Sequence, residues 1–267
     1  MDFLRYAEEL EAGRKGRGPE NLVVLPRVDS TNRLARAILE EYETEAQELH
    51  PLLILAFEQT GGRGRRGREW SSPRGKGVYA TRVLTVPDPA VLTTLPLLVG
   101  VGLCRALSPH LSAPCRLKWP NDLLVETPEG RRKIGGVLVE ALIRPGEPSG
   151  VIVGFGVNHR HEGHDAGDLP ETGTSLLLQG NGDVTLAALT WDLVDGVERE
   201  LSHLGDADYA VESYRPLSVH RPGERLSLQT GEEGIEGTFL GFDEQGRLRL
   251  ATEAGERTLS AGEIIEP

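Results

Sequence analysis

Gln59-Thr60-Gly61-Gly62-Arg63-Gly64-Arg65-Arg66-Gly67-Arg68-Glu69-Trp70 is the stretch on which the rest of the chain depends. It follows Pro51-Leu-Leu-Ile-Leu-Ala-Phe57, an apolar run with the length and composition of a buried strand, so the loop starts from a rigid strand end. From Gly61 to Arg68 only glycine and arginine occur. Glycine lets the backbone come close to a ligand, and guanidinium forks match carboxylate or phosphate oxygens. The segment therefore suits an anionic, phosphate-bearing guest. Its like charges repel and its glycines are loose, so we expect it to order on binding.

Three readings compete for this loop. Gly62-x-Gly64-x-x-Gly67 matches the dinucleotide-binding fingerprint, but Trp70-Ser-Ser-Pro-Arg-Gly-Lys-Gly77 cannot make the helix that must follow. An Arg/Gly segment could grip single-stranded nucleic acid, yet the chain carries a net charge of -12 and the loop has no run of aromatic stacking partners. A solvated basic loop is the plain structural alternative.

The composition, 38% hydrophobic and 26% charged over 267 residues, fits one large domain plus a small one. No apolar stretch reaches the length of a membrane span, and the first residues lack a basic-then-apolar signal region, so the expected location is cytoplasmic. Cys104 and Cys115 have no metal-site or disulfide-framework spacing and read as reduced thiols. Residues 1–133 hold 20 basic and 17 acidic side chains, whereas residues 134–267 hold 9 and 24, which places the anion-binding equipment in the first half.

Residues 2–12 read as a short helix and Gly13–Pro19 as a flexible linker, together an N-terminal extension over residues 1–20. Asn21–Val28 reads as a strand, and Asp29-Ser30-Thr31-Asn32 as the cap of the helix carrying Leu34, Ala35, Ile38 and Leu39. Gly77–Val86 reads as a strand and Pro89–Leu107 as a helix. Cys115–Trp119 leads through the turn Pro120-Asn121-Asp122 into Leu123–Glu126. Lys133–Glu140 and Gly150–Val157 read as two more strands, the first opened by Gly135-Gly136, which suggests close approach of a ligand or another backbone. Asp122 and Lys133 are expected to face one site. Thr185–Leu204 is an amphipathic helix, and residues 215–267 have the short alternating runs of a small antiparallel β-barrel. His159, His161 and His164 read as an exposed loop rather than as metal ligands.

With these pieces in place the chain resembles the biotin protein ligases. The resemblance rests on Asp29-Ser-Thr-Asn32, the Gln59–Trp70 loop, Lys118-Trp-Pro-Asn-Asp122, Lys133-Ile-Gly-Gly136, Gly154-x-Gly-x-Asn158 and Thr174-Ser-Leu176, in that order. It implies an α/β (α+β) fold: a mixed-sheet, class II synthetase-like catalytic domain over 21–214 and an SH3-like C-terminal β-barrel over 215–267. Some members carry an N-terminal DNA-binding module, for which the residues ahead of the catalytic region are too few, so a monofunctional ligase that binds no DNA is expected.

The resemblance also implies the chemistry: biotin is activated by ATP as biotinyl-5'-AMP and passed to one lysine of a biotin carboxyl carrier domain, of acetyl-CoA carboxylase or a related carboxylase. Mg²⁺ is carried by ATP, without a certain protein metal site, and a homodimer stays open. By the same carry-over, Lys133, Arg65 and Asp122 serve catalysis. Ser30, Thr31, Asn32, Gln59, Arg63, Gly64, Arg65, Lys133, Gly135 and Gly136 bind biotin. Arg66, Arg68, Trp70, Asn121 and Asn158 bind ATP, with Trp70 packing on the base. A lipoate or octanoyl transferase of similar architecture is the alternative within chemistry, and lacks support from the arginine loop.

Overall fold

The computed structural model describes residues 1–45, 47–86, 88–142, 149–180 and 183–265. Helix α1 (Phe3–Arg14) starts at Asp2, whose carboxylate accepts from the Arg5 amide. It buries Tyr6 and Leu10. The segment after it is pinned rather than loose. Lys15, Gly16 and Gly18 take positive φ, and Arg17 reaches Asp195 at 2.7 Å and Asp192 at 3.2 Å.

The larger unit is assembled from β1 (Asn21–Leu25), α2 (Thr31–Thr44), β2 (Leu52–Ala56), β3 (Gly77–Val86), α3 (Leu95–Leu107), β4 (Cys115–Lys118), β5 (Asp122–Thr127), β6 (Gly130–Leu142) and β7 (Ser149–Asn158). Helices α4 (Leu176–Gln179), α5 (Leu186–Leu201) and α6 (Ala207–Tyr214) follow. The strand order is β1-β2-β3-β7-β6-β5-β4; β1 and β2 run parallel and the remaining neighbours antiparallel, giving the expected mixed sheet. The helix expected over 89–107 is divided into a 3-10 turn (Pro89–Thr93) and α3, because Pro96 has no amide proton and fits only the first turn of a helix.

Side-chain alternation assigns the two faces. Leu53 and Leu55 join the core with α1, α3 and α5, whereas Leu52, Ile54, Val83 and Ile152 pack under Ala35 and Leu39 of α2. Helix α2 covers only part of its face. Thr81, Gly154 and Gly156 lie on the same face, at even spacing from Val83 and Ile152, and Gly136, Leu138 and Glu140 are paired opposite Gly156, Gly154 and Ile152. The uncovered part, with glycine where bulk would fill it, is the floor of the site.

The C-terminal unit is an antiparallel sheet of β8 (Arg225–Thr230), β9 (Glu233–Phe242), β10 (Leu248–Thr252), β11 (Gly255–Leu259) and β12 (Glu263–Ile265), in the order β11-β10-β9-β8-β12. Among the described residues β11 and β12 stand at its two ends, an all-antiparallel sheet of SH3-like texture. It is joined firmly to the larger unit. Leu117 exchanges backbone hydrogen bonds with Leu217 and Val219, Trp119 Nε1 donates to the Gly246 carbonyl at 3.1 Å, and the apolar core runs without a break from Trp119 and Tyr214 to Phe239 and Phe242.

Candidate active site

Sheet floor, α2, the arginine loop and β12 together enclose a cavity of about 480 Å³. Ser30, Thr31, Asn32, Gln59, Arg63, Gly64, Arg65, Arg66, Arg68, Trp70, Asn121, Asp122, Lys133, Gly136 and Asn158 all line it, so residues spread over 129 positions are brought to one place. Gly135 stands off the wall. It lies on the opposite face of β6, where an added Cβ would meet the Gly156 carbonyl oxygen at 2.7 Å.

At one end lies a buried polar network. Ser30 occupies the N-cap position of α2 but its side chain makes no capping bond; Gln59 caps the helix instead, its Oε1 accepting from the Thr31 amide at 2.8 Å. The Gln59 amide donates to Ser72 Oγ, and Ser72 Oγ donates to the Trp70 carbonyl. Asn32 Oδ1 accepts from Thr81 Oγ1 at 2.7 Å, while its Nδ2 donates to Glu140 at 2.9 Å. The capping role read from Ser-Thr-Asn is thus replaced by an internal network, because the three side chains are buried and face the sheet.

The charged end centres on Lys133, whose Nζ donates to Asp122 Oδ1 at 2.6 Å. Asn121 Nδ2 donates to the same oxygen at 3.2 Å, and Asn121 Oδ1 accepts from Arg65 at 2.7 Å. Burial pushes the Arg65 guanidinium below its ordinary pKa, an effect countered by the Asp122 charge. Trp70 lies across Gly156, where an added Cβ would sit 2.6 Å from its Nε1, and its ring centre is 5.5 Å from Lys133 Nζ. A side chain at 156 would displace the indole. Asn158 is buried and donates to the Thr174 carbonyl, so its carboxamide braces the wall.

The C-terminal sheet holds the arginine loop. Arg65 donates to the Gly262 carbonyl at 3.2 Å, Arg66 to the Gln229 carbonyl, and Arg66 and Arg68 both pair with Glu263. In this structure the loop forms a 3-10 turn over Arg65–Gly67 with these anchors. Sequence reasoning missed Ser72, Thr81, Glu140, Gly262 and Glu263, which carry no local motif. The histidine loop also differs from its exposed reading: His159 and His161 are buried, and burial lowers each imidazole to about pKa 4, while His164 is exposed. Among the described residues no cluster of three metal-ligating side chains occurs.

Comparison with known proteins agrees with this geometry. The Biotin/lipoate A/B protein ligase family matches residues 24–158, a little more than half the chain, and the Biotin protein ligase C terminal domain matches residues 223–265. A biotin–acetyl-CoA-carboxylase ligase of Paracoccus denitrificans is 30% identical over 257 residues, covering 91% of this chain and 99% of the relative. The bifunctional ligase/repressor BirA of Escherichia coli (strain K12) is 29% identical over 249 residues, and the match spans 73% of its length. The structure of a biotin protein ligase from Aquifex aeolicus in complex with biotin and ATP superposes with a TM-score of 0.69 at 27% identity, covering 92% of this chain and 98% of that one. A glycine floor under an arginine loop, a Lys-Asp pair at its edge and a C-terminal sheet that matches the ligase domain lead to one conclusion: the chain belongs to the biotin protein ligases of the Biotin/lipoate A/B protein ligase family.

Proposed function

We propose that this cavity activates biotin with ATP and that the same site then passes the biotinyl group to a lysine of a biotin carboxyl carrier domain. The observation that carries the reading is the cavity's division into a hydrogen-bonding end (Ser30, Thr31, Gln59) and a cationic end (Arg65, Arg66, Arg68, Lys133) around one apolar floor. Biotin has a matching polarity, with a ureido head, an apolar body and a carboxylate. The match of residues 223–265 to a biotin ligase C-terminal domain favours biotin over lipoate.

In the first step a biotin carboxylate oxygen bonds to the α-phosphorus of ATP, and the bond to the pyrophosphate leaving group breaks. Two anions must meet, so the protein's task is positioning and charge compensation rather than covalent catalysis. Lys133 and Arg65 are assigned to the reacting carboxylate and α-phosphate, with Asp122 and Asn121 fixing their direction. Arg66 and Arg68 are assigned to the remaining phosphates, and Trp70 and Asn158 to the adenosine side. Magnesium would enter as part of the nucleotide; Asp122 and Glu263 are carboxylates on the wall beside the phosphates' assigned place, and an ion held mainly by phosphate and water would need no larger protein set. In the second step the carrier amine bonds to the biotinyl carbonyl carbon and AMP leaves. Residues 21–214 serve as the catalytic domain and 215–267 as the domain that holds its arginine loop.

The test is incubation of the purified protein with biotin, Mg-ATP and a carboxyl carrier domain, read by intact mass. One biotinyl group on one carrier lysine is expected, with lipoate used poorly; equal use of lipoate would overturn the assignment of the hydrogen-bonding end.

A further inference from the structure

Lys76 stands at the start of β3, one residue before Gly77, which pairs with Asn158 at the end of β7. The chain leaves β7 there and returns to the cavity wall at Leu169, and Lys76 holds both ends of this excursion. Its carbonyl accepts from the His159 and Arg160 amides at 2.9 and 2.8 Å, and its Nζ donates to Asp168 at 2.8 Å and to Glu162 at 2.9 Å. The Glu162 side chain is 61% exposed, so solvent screens that pair. Asp168 is 11% exposed and also accepts from the Glu162 and Gly163 amides, closing the loop on its own backbone as well as on the lysine. The position of the next residue, Leu169, follows from that closure.

Leu169, Pro170, Thr172 and Gly173 line the cavity, and Ser71 Oγ donates to the Asp168 carbonyl at 3.1 Å, which sets this segment beside Trp70. Its far end is bonded mostly through main chain: the Lys133 amide donates to the Thr172 carbonyl and the Lys133 carbonyl accepts from the Thr174 amide, both at 2.8 Å, while Asn158 donates to the Thr174 carbonyl. The near end hangs on the pair of Lys76 with Asp168. We infer that Lys76 is a positioning residue for the nucleoside of ATP: through Asp168 it sets Leu169 and Pro170 on the side of the cavity assigned to Trp70 and Asn158. The inference rests on ATP as the nucleotide and on that assignment. Lys76 itself is not on the cavity wall, so it acts through the strap rather than on the ligand. Leu169 supplies an apolar side chain for a purine to pack against, and a strap that drifts by a fraction of an ångström loses that contact.

The experiment is steady-state adenylation by the full chain, giving KM for ATP, KM for biotin and the inhibition constant of the product pyrophosphate, with thermal melting as a check on folding. Lys76→Met keeps the carbonyl bonds to His159 and Arg160 and removes only the ammonium. For it we expect KM for ATP to rise about five- to tenfold, the size of one lost charge-assisted hydrogen bond, while KM for biotin and inhibition by pyrophosphate, which has no nucleoside, change less than about twofold. Lys76→Arg keeps the pair with Asp168 and should stay within about twofold of the parent. Adding Asp168→Asn to Lys76→Met should cost less than about twofold more, because both changes break one contact. An unchanged KM for ATP in Lys76→Met, an equal effect on biotin or pyrophosphate, an arginine variant no better than the methionine one, or a further large loss in the double variant would each overturn the inference while leaving biotin ligation standing. A parent protein that forms no adenylate from biotin and ATP would overturn both.

Discussion

Lys133 and Gly136 both line the cavity although three positions apart on one strand, a spacing that strict two-residue alternation would put on opposite faces. The register between β5 and β6 supplies the reason: Leu123 pairs with Gly135 but Leu124 pairs with Lys133, so Ile134 is an extra residue, a bulge whose side chain is fully buried in the core. The bulge turns the Lys133 ammonium into the site, 2.6 Å from Asp122.

In the proposed reaction a charge held there would meet phosphate chiefly along the reaction path and contribute more to the transition state than to ground-state binding. Lys133→Met should therefore lower adenylate formation by about a hundredfold or more, in the range found for removing one electrostatic stabiliser, while biotin binding weakens far less. Pyrophosphate release beside biotin titration measures the two effects. Normal pyrophosphate release would remove Lys133 from the mechanism.

Biotinyl-adenylate is a mixed anhydride and acylates nearby amines if it escapes. Arg65 spans the cavity mouth, from Asn121 on the catalytic side to the Gly262 carbonyl on the C-terminal side. Arg65→Gly is expected to make the adenylate but retain it poorly, with a lifetime shortened about ten- to hundredfold if a charged contact of roughly 1.5–3 kcal/mol is lost. Stopped-flow dissociation of the adenylate and biotin found on lysines of a bystander such as albumin should rise together. An enzyme that holds its intermediate as long as the parent does would show that Arg65 does not close the site.

Acid stability should report the buried histidines. His159 and His161 are lowered to about pKa 4 and His220 to about 3, in each case chiefly by burial, against 6.5 for an unhindered imidazole. Groups depressed in this way stay neutral in the fold, while the unfolded chain takes up their protons as pH drops below 6.5. Stability from this source is complete above that pH, declines toward pH 4, and stops declining once the folded groups also protonate. At pH 5 each contributes a loss of roughly 2 kcal/mol. His161 is fully buried, so His161→Phe should melt with a smaller drop between pH 7.5 and 5 than the parent. Equal drops would show that its protonation is not coupled to unfolding.

The elements that sequence made legible are those set by neighbours along the chain. The strand over Gly77–Val86 and the apolar spacing of α2 and α5 reappear, and the Gln59–Trp70 loop and Lys118–Asp122 turn reach the cavity because each hangs from a strand end. The helix over 89–107 was legible in content but not in continuity, since one proline's position relative to a helix start decides whether it caps or breaks. The flexible reading of residues 13–19 failed because Arg17 finds its carboxylate partners on α5.

By itself the sequence determined the succession of strands and helices, the family motifs and the separation of a cationic loop from an acidic C-terminal half. These follow from periodicity, turn chemistry and composition, which act over a few residues. Only the tertiary structure decided that Ile134 bulges so that Lys133 faces inward, that Gly262 and Glu263 anchor a loop 197 residues away, and that Glu140 stands behind Asn32. It also decided that His159 and His161 are buried rather than exposed. Each depends on which distant surfaces come together when the core closes, and no local preference of these residues encodes that choice.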